Sequence, residues 1–240
     1  MIDVKALIFD IDGTLVDSFE AYHEVFNQGI TEFGAGPISR DVLRDYLAKG
    51  LNLRTILQNV FPLSMDDTGY EACRGRILQL FKEVEQEGVR PFEGAEALFR
   101  YLEGKRVKID IATGRTSSPE DEWLRFRKLG LAHYISTIVT SREVEHRKPA
   151  PDAIIECSRR LNIPLEQCVV VGDTESDIVA AKRAGAIAVA VTTGQENEDV
   201  LLKAEPEVVL KDLGNLAAYL EEQKPFHAHS KAQQTRRNNE

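Results

Sequence analysis

Four short apolar runs, separated by helical patterns, restrict what this chain can fold into. They occupy residues 4–9 (VKALIF), 107–112 (VKIDIA), 168–172 (CVVVG) and 186–191 (AIAVAV). Runs that are apolar on nearly every residue suit parallel strands covered on both faces. Helix starts lie between them. Ser118-Pro119-Glu120-Asp121 sets a Pro at the first helical position and acid in the first turn. Pro151 opens a second helical stretch that ends before Pro164. Thr174-Glu175-Ser176-Asp177 has the form of a capping box, and Gly185 stands where that helix should stop. Strands alternating with helices imply an α/β fold, a Rossmann-like, doubly wound and mainly parallel sheet.

One region breaks the alternation. Residues 18–88 contain helical patterns and no convincing strand; the clearest carries Ile77, Leu80, Phe81 and Val84 on one face. The expected organisation is a core of residues 1–17 and 89–223 with an inserted helical cap at 18–88. The polar stretch 224–240, with four basic residues and one acidic, reads as a disordered tail.

Composition narrows the function classes. A net charge of −9 argues against a nucleic-acid partner but not against a small phosphorylated metabolite, which needs only local positive charge. The longest hydrophobic stretch, 186–191, is far short of a membrane span. Cys73, Cys157 and Cys168 form no CxxC pair, and the N-terminus lacks a signal-peptide core, so a cytoplasmic location is expected.

Asp10 and Asp12 end the first run one residue apart, followed by Gly13 and Thr14. Neighbouring carboxylates oppose one another's ionisation, so a compensating charge is needed. Asp-Gly alone reads as a turn. An EF-hand loop starting at Asp10 fails on spacing, because its sixth and twelfth positions hold Leu15 and Ala21. The other strand ends give the pair its meaning, since ligands of open α/β sheets bind beyond the carboxyl ends of the strands. Thr113 and Gly114 follow the second run, Lys148 precedes the Pro151 helix, and Gly172, Asp173 and Asp177 follow the third. Clustered carboxylates call for a cation, and hard oxygen ligands in a phosphate-handling site point to Mg²⁺. A divalent ion would let Asp10 stay ionised while Asp12 carries protons.

The segments DIDGTLVDS, Thr113 with its neighbours, Lys148-Pro149-Ala150-Pro151-Asp152 and Gly172-Asp173-Thr174-Glu175-Ser176-Asp177 resemble, in order and spacing, the four motifs of the haloacid dehalogenase superfamily. The likeness spans roughly residues 4–215. The helical insertion is similar to that superfamily's C1-type cap, as in phosphoglycolate phosphatases and related small-molecule phosphatases. The resemblance implies a Mg²⁺-dependent phosphatase acting on a small phosphate monoester, with phosphoglycolate a candidate. It implies that Asp10 attacks phosphorus to form an aspartyl-phosphate. Asp12 would protonate the leaving oxygen and later deprotonate water. Thr113 and the Gly114 amide would hold phosphoryl oxygens, and Lys148 would neutralise charge. Asp10, the backbone carbonyl of Asp12, and Asp173 would hold the metal. Asp177 either acts through a water or caps its helix. Lys49 and Arg54 either meet a substrate anion or lie on a solvated face, and Asp17 with Glu20 is expected to cap the first inserted helix. The second motif departs from phosphoglycolate-type relatives in having Gly114 after the Thr, and Arg115 next to it is either an anion contact or exposed.

Asp12 argues against dehalogenases and phosphonate hydrolases of that superfamily, which have no alkoxide to protonate. A phosphosugar mutase also uses it and stays an alternative. A receiver-like signalling module is a further alternative, but its acceptor Asp sits midway along a chain about half this length, whereas Asp10 ends the first strand.

Overall fold

The first apolar run becomes strand β1 (Ala6–Phe9), buried at every position. The computed structural model describes residues 3–48, 51–61, 65–87, 89–194 and 196–221; Lys49 and the tail at 224–240 lie outside them. After β1 the chain makes a two-residue strand, β2 (Val16–Asp17), and then four helices: α1 (Phe19–Glu32), α2 (Arg40–Ala48), α3 (Leu53–Val60) and α4 (Asp67–Glu87). It returns through β3 (Arg90–Pro91). There follow α5 (Ala95–Gly104), β4 (Lys108–Thr113), α6 (Pro119–Lys128), β5 (Ile135–Thr140), α7 (Asp152–Leu161) and β6 (Cys168–Gly172). The chain ends its described course with α8 (Glu175–Ala184), β7 (Ile187–Val191), α9 (Glu198–Lys203), β8 (Val208–Leu210) and α10 (Leu213–Glu221).

Six strands form one sheet in the order β5-β4-β1-β6-β7-β8, all parallel. The chain winds outward from β1 to β5, then restarts at β6 on the other flank of β1. That reversal is the topological switch point of a doubly wound sheet, where a ligand crevice opens beyond the strand ends. Alternate residues feed two cores. Leu7, Phe9, Ile109, Ile111, Val169 and Val171 pack with α5, α6 and α10. Ala6, Ile8, Ala112, Val170, Ala188 and Ala190 pack with α7, α8 and α9. The strands are therefore apolar on both faces because both are covered.

Helices α1–α4 bury a third cluster of their own, including Phe26, Ile30, Leu57, Phe61 and Ile77. The two crossings between this helical segment and the sheet run side by side: β2 and β3 pair antiparallel, Val16 against Pro91 and Asp17 against Arg90. This pairing decides the expectation for Asp17. Its backbone is extended in β2, Ser18 takes the cap position of α1 without a side-chain bond to the helix, and Glu20 bonds Arg40 instead. Neither acid caps the helix. Capping boxes do form at Ser118–Asp121 of α6 and Thr174–Asp177 of α8. The three cysteines are free and buried. Among the described residues no helix is long and apolar enough to cross a membrane.

Candidate active site

Asp10 continues off the end of β1, its N–H donating to Val171 O at 3.0 Å, so the residue is anchored against β6. Gly13, at φ +79°, turns the chain back beneath the pair. Thr14 is fully buried, and its hydroxyl donates to Asp173 Oδ1 at 2.9 Å. Asp173 follows β6 directly. A Cβ at Gly13 or Gly194 would overlap its carboxylate, so both positions must be bare for Asp173 to lie there.

Lys148 reaches in from the loop before α7. Its ammonium donates to Asp10 Oδ1 at 2.9 Å, Asp177 Oδ1 at 2.7 Å and Ala112 O at 2.7 Å. Those three bonds use every proton it carries. Burial opposes its charge, but Asp10 and Asp177 outweigh that and raise its pKa. Burial also raises the Asp10 carboxyl, against the pull of Lys148 and with help from Asp177 and Asp12. Of the two roles foreseen for Asp177, the structure shows the helix cap. Asp177 Oδ2 accepts the Thr174 hydroxyl at 2.6 Å as that cap, while Oδ1 faces the site.

One carboxylate oxygen from each of Asp10, Asp173 and Asp177 lies within 4.8 Å of the others. Lys148 pairs with Asp10 and Asp177, and Asp173 accepts from Thr14, so the three carboxylates gather a set of hard oxygen donors. These residues fit a hard divalent cation. The Asp12 side chain is not in this cluster. Both its oxygens accept from Arg115, at 2.6 Å each. Burial works against the Asp12 charge, but Arg115 overrides it and holds the carboxyl below its ordinary value.

Asp10, Asp12, Thr113, Gly114, Lys148, Asp173 and Asp177 all line one cavity of about 400 Å³, with Arg115 and Arg147. The Thr113 hydroxyl accepts the Arg115 N–H at 3.2 Å. Arg54 is elsewhere, paired with Asp67 and Glu71 on the surface of the helical segment, so it follows the solvated reading. Sequence reasoning passed over Thr14, Tyr22, Glu122 and Gly194. Thr14 stood inside the first motif; Tyr22 and Gly194 carry no local signal, because their partners lie far along the chain, and Glu122 reads as an ordinary acid in the first turn of a helix.

Residues 7–191 match the haloacid dehalogenase-like hydrolase family. The chain belongs to this family. A curated relative from Neisseria meningitidis, named phosphoglycolate phosphatase, is 26% identical over 226 residues, spanning 92% of this chain and 95% of its own. Another from Thermotoga maritima, named phosphorylated carbohydrates phosphatase, is 30% identical and spans 76% of this chain and 82% of its own. A solved structure titled putative beta-phosphoglucomutase from Thermotoga maritima superposes with a TM-score of 0.76 at 28% identity, covering 91% of this chain and 99% of its own. This haloacid dehalogenase-like hydrolase thus has a carboxylate nucleophile candidate, Asp10, held by an ammonium, beside a second carboxylate, Asp12, held by a guanidinium.

Proposed function

We propose that this hydrolase cleaves a small-molecule phosphate monoester through an aspartyl-phosphate, with Mg²⁺ as cofactor and phosphoglycolate as the first candidate substrate. One observation carries the reading: Asp10, bonded to Lys148, shares a 400 Å³ cavity with two further clustered carboxylates and with Thr113 and Gly114. The names of the Neisseria and Thermotoga relatives support the substrate class.

Asp10, Asp173 and the backbone carbonyl of Asp12 would hold the ion, with Asp177 beside them. When bound, Mg²⁺ would supply positive charge that offsets the carboxylates and the phosphoryl group. An Asp10 oxygen bonds phosphorus as the bond from phosphorus to the leaving oxygen breaks, and Asp12, which must first take up a proton against the pull of Arg115, gives it to that oxygen. Water then attacks the phosphoryl group and passes a proton to Asp12, and Asp10 departs as a free carboxylate alongside inorganic phosphate. Lys148 keeps Asp10 oriented, while Thr113 and the Gly114 amide bind phosphoryl oxygens. Phosphate monoesters need up to ~10²¹-fold acceleration, which explains the convergence of so many charged groups.

In the same reading, residues 18–88 cap the core of 1–17 and 89–223, with β2 and β3 as the hinge. Lys49 is the cap residue that meets the substrate. Free buried thiols suit a reducing cytoplasm.

The test is release of inorganic phosphate from a panel of phosphorylated metabolites, with and without Mg²⁺. Asp10→Asn should abolish it and leave the far-ultraviolet circular dichroism unchanged. Near-normal turnover by that variant would overturn the nucleophile assignment. The likeness to the structure titled putative beta-phosphoglucomutase favours a second reading, phosphosugar mutase. A mutase would interconvert sugar phosphates without net phosphate release.

A further inference from the structure

Arg115 follows Thr113 and Gly114, yet the chemistry above gives it no part. Its guanidinium grips Asp12 as a fork, Nε to Oδ2 and Nη2 to Oδ1, both at 2.6 Å. The same Nη2 donates to the Tyr22 hydroxyl on α1 at 3.0 Å. Nη1 lies 3.9 Å from Glu122 on α6, whose side chain is wholly buried. Glu122 is itself fixed by the Ser117 hydroxyl at 2.5 Å and Arg125 Nε at 3.1 Å. The Arg115 side chain is only 11% exposed. A planar fork backed by a fixed carboxylate has little freedom, so it dictates where the Asp12 carboxylate points.

We infer that Arg115 is a positioning residue that sets the Asp12 carboxylate for its work on the leaving-group oxygen and ties that placement to the helical segment through Tyr22. The inference rests on the phosphatase reading above. Three elements meet at this one guanidinium: the turn after β1, helix α6 and helix α1. Loss of the fork leaves Asp10, Lys148 and the carboxylate cluster untouched, so the damage should fall on proton delivery alone. Alkyl leaving groups need that proton, whereas 4-nitrophenolate departs with little help.

The test compares the full-length protein with Arg115→Ala, Arg115→Lys and Tyr22→Phe on an alkyl phosphate and on 4-nitrophenyl phosphate. Arg115→Ala should lower kcat on the alkyl ester by about 100-fold, within the range general acid catalysis supplies, and by less than ~10-fold on the aryl ester. KM should change little on either. Arg115→Lys, a single donor without the fork, should recover part of the loss. Arg115→Ala should cost nothing further in an Asp12→Ala background, because the two act as a unit. Equal losses on both esters, an alkyl rate at or above wild type, or an additive double variant would each overturn the proposal. Amide hydrogen exchange across residues 19–32 is read in parallel. Faster exchange in Arg115→Ala and Tyr22→Phe supports the tie to α1, and unchanged exchange overturns it. Exchange does not depend on turnover, so a wild-type protein that releases no phosphate would sink the phosphatase reading while the clasp between Arg115 and Tyr22 is still decided.

Discussion

The carboxylate of Asp173 lies where a side chain on Gly194 would have to be. The neighbouring backbone cannot give way easily, because the Thr193 hydroxyl donates to Gly13 O at 2.6 Å. Gly194→Ala should therefore rotate Asp173 out of the cluster while leaving the sheet intact. Calorimetric Mg²⁺ affinity should fall by roughly 10–100-fold, the usual cost of losing ligand orientation. Unchanged affinity would show that Asp173 is not held by this cradle.

Metal removal should be visible without any substrate. With carboxylate oxygens of Asp10, Asp173 and Asp177 gathered within 4.8 Å of one another, a divalent ion would relieve repulsion that the unfolded chain does not have. Protein stripped with a chelator should gain about 2.7 kcal/mol of stability when Mg²⁺ reaches 100 times its Kd. Asp173→Asn should lose most of that gain. Calcium should bind yet support little turnover, since its looser and higher coordination misplaces Asp10 for attack.

Lys148→Met removes the cation from between two buried carboxylates, Asp10 and Asp177. Leaving charges buried and unpaired costs roughly 3–5 kcal/mol. Urea unfolding of the metal-free variant at pH 8 should show a loss of that size. A loss below ~1 kcal/mol would mean that the ammonium is not the carboxylates' main support.

A pH effect should come from Asp110, which is not part of the carboxylate cluster. It is fully buried under α7. Its Oδ1 accepts the Thr137 N–H at 3.2 Å, and Oδ2 has no partner among the described residues. Burial pushes its carboxyl up from 3.8 to about 7, against Thr137, Lys108 and Arg160. Between those values the folded protein keeps a proton that the unfolded chain has released, so stability falls as pH rises through that window and levels off above it. The full effect corresponds to about 4 kcal/mol. Asp110→Asn has no such ionisation, so its stability should vary less between pH 4.5 and 8 and exceed wild type at pH 8. Parallel curves for the two proteins would rule this out.

The parts legible in the sequence are those set by local pattern. Buried strands such as β1 and β6 announce themselves because both faces are covered, and the helix start at Ser118-Pro119 and the capping box at Thr174 need only a few adjacent residues. β5, ISTIVT, and β8, VVL, were not read as strands. Both lie at sheet edges, where fewer neighbours demand apolar side chains and the runs become mixed or short. The same divide runs through the site. Asp10, Thr113, Lys148 and Asp173 follow strand ends or precede a helix, positions that sequence alone can mark. Tyr22 and Gly194 matter through partners 93 and 21 residues away, and only folding brings those surfaces together.

The pairing of Val16 with Pro91 and Asp17 with Arg90 has an evolutionary consequence. Entry to and exit from the helical segment stand one strand spacing apart, about 4.8 Å. An insertion on so narrow a stem imposes no geometry on the sheet that carries it. Helices of other number or length could be grafted between residues 17 and 90, provided that their ends meet and that a partner for Arg115 is kept where Tyr22 now stands. If the helical segment selects the substrate as proposed, the chemistry around Asp10 and that surface can therefore diversify at different rates, one constrained by six strands and the other by its stem and the contact at Arg115.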